Sequence, residues 1–200
     1  MAKARPWVQF SRAMTIPSAD KSAPDAVAVL RDATHEVGVA ASIALLVFAA
    51  ELALATVPPG AEHDDGAKAL AMAARVAAGQ PVEPDDIANA MMLDDAGILI
   101  TQQLAPRGKQ ADAWNAVASV LGYAAWHAYR HHGAHPNPVV ENFSSPDALD
   151  FVVDSFAPLH DLDWESVARA AAYVREFGGS AEKGWGESLD VAELRSAAAS

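Results

Sequence analysis

The chain has no cysteine among its 200 residues. That excludes a disulfide scaffold, cysteine-based metal sites and thiol catalysis. It is also poor in positive charge. Fourteen Lys and Arg face 26 Asp and Glu, for a formal net charge of −12. Direct nucleic-acid binding needs cations against phosphate, so that function is not expected. No alternating run of Val, Thr and aromatics lies between turn residues, so no sheet is expected. Gly-x-Ser-x-Gly, Ser-x-x-Lys and His-Glu-x-x-His are all missing, and the glycines of GGSAEKGWGES lack the context of a phosphate-binding loop. The N-terminus, MAKARPWVQFSRAMTIP, has no continuous apolar core and does not read as a secretory signal.

What is present is apolar helix. The hydrophobic fraction is 52%, much of it alanine, the best helix former. Residues 111–130, ADAWNAVASVLGYAAWHAYR, contain no proline. Trp114, Val117, Leu121, Ala124 and Ala128 form a stripe at helical spacing, and Val120, Tyr123 and Trp126 add bulk off it. A helix apolar on nearly every face belongs inside a protein. The expected fold is therefore all-α, a single compact multi-helix domain around this central apolar helix. Trp114, Trp126 and Trp164 read as packing residues. Trp7 and Trp185, near the ends, are candidate interface anchors.

Residues 37–57, VGVAASIALLVFAAELALATV, are long enough to cross a bilayer. Eight of them are Ala or Gly, which insert weakly, and Glu51 is costly at membrane depth. A buried soluble helix is the preferred reading, with a membrane-associated protein as an alternative. Around it, helices are expected at 5–14, from near Asp25 either to a break at 35–38 or on into the helix 38–57, at 67–78, from Pro84 to Met92, and at 96–104. PPG at 58–60 is a sharp stop, 61–66 an acidic loop, 107–109 a loop and 131–138 an irregular connection. Ser145 and Pro146 open a helix ALDFVVDSF, and Asp163 caps WESVARAAAYVREF. The domain is expected over 1–178, with 1–23 partly irregular. Residues 179–200 read as a flexible tail with a possible short helix.

Two groups of residues invite chemistry. His127, His131, His132 and His135 crowd together, with His127 and His131 at an i, i+4 metal-ligand spacing. A metal-dependent enzyme using this cluster is one alternative. The bland reading, preferred here, is that His and Arg at a helix end offset its dipole. The paired carboxylates Asp64–Asp65, Asp85–Asp86 and Asp94–Asp95 each adjoin a helix start, where acids cap and are solvated. That capping reading is preferred, and an acidic patch for a basic partner is the second. Eleven acids against two bases lie between Asp32 and Leu99, and seven acids with no Lys or Arg between Asn137 and Glu165.

Taken in order, AAELALATVPPG, ALAMAARVAAGQPVEPDDIANAM, LDDAG, AWNAVASVLGYAAWHAYR and PDALDFVVDSF resemble the sixth immunity family. These are all-helical immunity proteins of bacterial polymorphic-toxin and contact-dependent growth inhibition systems. Ala125, Trp126, Ala128 and Tyr129 match the end of that family's A-x-x-A-W-x-A-Y pattern, while Gly122 stands where its first alanine would be. The resemblance spans about 38–175. It implies a cytoplasmic protein that binds and neutralises a cognate toxin, often a nuclease, with no catalysis and no cofactor, metal or membrane. It carries over no interface. The candidate toxin-binding residues come from charge alone: Asp85, Asp86, Asp94 and Asp95 around one short helix, then Asp147, Asp150 and Asp154 on one face of another. That second face is expected to be solvent-exposed and self-repelling.

Overall fold

The helices follow from where the apolar residues fall. A computed structural model describes residues 23–92, 97–180 and 184–199. Among them are nine α-helices, one 3-10 helix and no strand, so the fold is all-α. In chain order these are α1 (Ala23–Glu36), α2 (Val39–Leu54), α3 (Ala61–Ala77), α4 (Pro84–Met91), α5 (Ile98–Leu104) and α6 (Lys109–His132). The 3-10 helix, Pro138–Ser144, precedes α7 (Ala148–Asp154), α8 (Trp164–Phe177) and α9 (Val191–Ala198).

Two helices form the centre. In α2, thirteen of sixteen residues are buried. It packs most extensively on α3 and α6, and α1, α8 and α9 close its other sides. The second is α6, whose stripe of Trp114, Val117, Leu121, Ala124 and Ala128 is buried as its spacing predicts. α6 also contacts α4, α5, α7 and the 3-10 helix, so it is flanked on most of its length. No helix of the described residues is long and apolar enough to cross a membrane. The apolar segment at 37–57 is a core helix whose lone carboxylate, Glu51, is three-quarters buried and bonded to Arg195 of α9.

Small residues set how closely these helices approach. At Gly122 in α6, an added Cβ would lie 2.0 Å from the Phe143 ring of the 3-10 helix. The glycine that departs from the family's alanine pattern is therefore the socket for that ring. At Gly66 in α3, a Cβ would lie 2.8 Å from Trp114.

The start of α2 is buried and has no side-chain cap, which leaves backbone N–H groups without helical partners. The Val39 N–H donates to the Gly184 carbonyl at 3.0 Å and the Ala40 N–H to the Trp185 carbonyl at 2.8 Å. The two backbones meet at Gly38 and Gly186, where a Cβ on Gly38 would lie 2.6 Å from the Gly186 Cα. Gly186 has φ +78°, a conformation L residues rarely adopt. This corrects the expectation of a flexible tail over 179–200: its described part caps α2. It then lays α9 onto the core, where Val191, Leu194 and Ala198 are buried.

Other expectations shift by less. The acidic segment 61–66 is the first turns of α3, because its acids suit a helix N-terminus. His131 and His132 belong to α6, which ends at the left-handed Gly133. Asp163 caps α8 as expected, its carboxylate accepting from the Ser166 N–H. Trp126 is only partly buried, whereas Trp114 is 2% exposed. Trp185 is partly buried and stacks on His131 within the fold. The expected helix 5–14, with Trp7, lies outside the described residues.

Two stability measurements check this packing. Leu194→Ala should cost about 2–5 kcal/mol in denaturant unfolding, the range for truncating a buried leucine, whereas a flexible tail would give no change. Gly122→Ala should cost about 1–3 kcal/mol, the usual penalty for overpacking, instead of the gain a helical Gly→Ala normally brings.

Candidate partner-binding surface

The histidine cluster is divided among separate packing roles. His127 is largely buried with its ring edge-on to Tyr123, centroids 4.4 Å apart. His131 stacks on Trp185 at 4.1 Å and meets His132 edge-on. His135 lies exposed in the connection after Gly133. Among the described residues, no group of three or more His, Cys, Asp or Glu side chains could hold a metal ion. The i, i+4 spacing of His127 and His131 therefore sends two rings to two different aromatic neighbours.

The seven candidate carboxylates separate in a way charge alone did not reveal. Asp150 and Asp154 do share a face of α7, but α1 lies against it. The Arg31 guanidinium bonds Asp150 through Nε at 3.2 Å and Asp154 through NH2, and His35 Nε2 lies 3.1 Å from Asp150. His35 and Arg31 together hold the Asp150 carboxyl below its usual range. The expected self-repelling face is instead an ion-paired seam between α1 and α7. Asp147, one turn earlier, is exposed and makes no ion pair among the described residues.

On α4 a similar division holds. Asp85 accepts a hydrogen bond from the Tyr129 hydroxyl of α6, and burial together with that bond raises the Tyr129 pKa. Asp86 is exposed beside it and makes no ion pair among the described residues. Both sit in the first turn of α4, where the helix dipole favours acids. Asp94 and Asp95 lie outside the described residues. Of the candidates that are described, Asp86 and Asp147 are the carboxylates free to meet a partner. Glu62, Glu83 and Glu141, also exposed and without ion pairs among the described residues, join them.

Sequence reasoning missed an open groove of about 880 Å³. It runs between the Val57–Pro59 turn, the first half of α3, the end of α4, α5 and the start of α6. Its walls are mainly apolar, with Met72, Ile98, Ile100, Leu104 and Trp114 among them. Leu104 is 79% exposed. Short apolar segments such as ILITQQL carry little periodic signal, so nothing in the sequence marked α5 as one wall of a concavity.

A family model for immunity protein Imm6 matches residues 41–153, more than half of the chain. The chain belongs to the Imm6 family. It is thus an immunity protein of polymorphic toxin systems, and its partner is a toxin. No curated protein and no solved structure matches the chain. The matched stretch holds α2 to α6, the 3-10 helix and most of α7. Asp85, Asp86, Asp147 and the whole groove lie inside it; α1, α8 and α9 lie outside.

Burial, and secondarily the Arg130 charge, lowers the His127 pKa to about 4. In the unfolded chain the group titrates near 6.5. As pH falls from 6.5, the unfolded chain takes up the proton first, so the immunity protein loses stability until about pH 4. Replacing His127 with Gln should flatten the fall in melting temperature over this window. An unchanged slope would show that His127 does not carry it.

Proposed function

We propose that this immunity protein neutralises a basic toxin domain in the cytoplasm, with a nuclease as the preferred candidate, and that it acts by binding and not by catalysis. Family membership supplies a toxin as the partner. The observation that carries the finer reading is the charge of −12, together with exposed carboxylates such as Glu83, Asp86 and Asp147 that no cation of the described fold engages. Nuclease sites are basic because they hold phosphate. An acidic inhibitor is steered to such a site and competes for it. The same acidity disfavours direct contact with nucleic acid.

Free and engaged carboxylates define the test. Reversing Asp85 or Asp150 would break bonds within the fold, so those substitutions mix stability with binding. Asp86 and Asp147 are the cleaner positions. With the cognate toxin domain, association should be fast and should slow as salt rises. Asp86→Lys combined with Asp147→Lys should raise the dissociation constant at least about tenfold, roughly 1.4 kcal/mol, with only a small fall in melting temperature from placing cations at two helix N-termini. Affinity indifferent to both salt and the double reversal would sink the electrostatic reading.

A further inference from the structure

We propose that the groove between α3 and α5 is where the toxin docks, receiving an apolar side chain of the toxin flanked by basic ones. This rests on the proposed function and names the surface that performs it.

Four observations converge on the groove. It is assembled wholly from residues 57–114, all inside the stretch that matches the Imm6 family. Its floor is apolar and open to solvent, and Leu104 is the most exposed large hydrophobic residue of the described chain. Monomeric proteins seldom leave a contiguous apolar concavity uncovered unless something binds there. An apolar centre with a polar rim is the usual anatomy of a protein interface.

The rim supplies the sign of the partner. Glu62 lines the groove without an ion pair among the described residues. The one lysine in the lining, Lys68, is held by Asp65 at 2.9 Å, which leaves Glu62 as the unpaired charge of the edge. Basic residues flanking an apolar anchor complement that edge, and burying the anchor beside Leu104 gives the tight central contact that interfaces rely on.

The groove wall also carries an unsatisfied polar group. His63 lines it, and its buried Nδ1 has no hydrogen-bond partner. The nearest carboxylate oxygen, Asp64 Oδ1, is 3.6 Å away. A polar group of the toxin seated beside the ring would give this nitrogen the partner it lacks.

The test uses the full chain and its cognate toxin domain, titrated calorimetrically. Leu104→Arg places a cation on the groove floor, and Ala61→Trp fills its mouth. Both positions are exposed, so melting temperatures should hold. Each variant should raise the dissociation constant at least about tenfold, chiefly through faster dissociation. Phe177→Arg, at an exposed aromatic outside the groove, should leave it unchanged. If both groove variants bind like the unmodified chain, the groove is not the docking site and the proposed function stands. If the unmodified chain does not bind the domain, the proposed function falls and the groove assignment with it. A dimer of the free chain that Leu104→Arg dissociates would assign the groove to a second copy and overturn the proposal.

Discussion

The near-complete burial of α2 is the constraint on which the rest of the structure depends. A helix sealed on all sides must satisfy every polar group it carries, because an unpaired buried group costs about 1–3 kcal/mol. The first N–H groups of α2 and the Glu51 carboxylate are the exposed accounts in this core. Both are closed by the last part of the chain: the Gly184 and Trp185 carbonyls meet the N–H groups, and Arg195 grips Glu51 with two nitrogens. That explains why a segment rich in glycine and polar residues is folded onto the core. Its sequence does not demand order, but α2 does. The stack of Trp185 on His131 ties the same segment to the end of α6, so the two central helices share one clasp.

Charge in this immunity protein does two separate jobs. Part of it is structural. Arg31 and His35 bind Asp150 and Asp154 across the seam between α1 and α7, Arg175 binds Glu36 across α8 and α1, and Lys109 binds Asp161. These pairs are at least partly exposed, so each contributes little to stability. Their larger effect is on the surface: they remove carboxylates from the pool a partner can engage. The remaining unpaired acids give the molecule its field. Such a field speeds encounter and selects a basic partner, while apolar contact slows release. In the binding mode proposed above, an acidic surface and an apolar groove are complementary parts.

Legibility followed the range of the interactions involved. Helices α4, α6 and α8 could be read from the chain because proline, an N-terminal Asp and a continuous apolar stripe act within a few residues. The family pattern was legible for the same reason, since Ala125, Trp126, Ala128 and Tyr129 sit within two turns of α6. Gly122 was visible as a departure, but its cause, the Phe143 ring, is twenty-one residues away. The spacing of Asp150 and Asp154 puts them on one face but says nothing of what pairs with it. Their partner Arg31 lies more than a hundred residues earlier, and no local pattern joins them.

By itself the sequence determined the class of the fold, the two helices at its centre and the sign of the surface. Those properties are sums over composition or depend on neighbours three and four residues apart. Tertiary structure alone decided which acids are spent inside the fold, that the chain's end caps the core, and that α3, α5 and α6 leave a groove between them. Each of these depends on backbones brought together from distant parts of the chain, where packing and the satisfaction of buried polar groups govern the outcome.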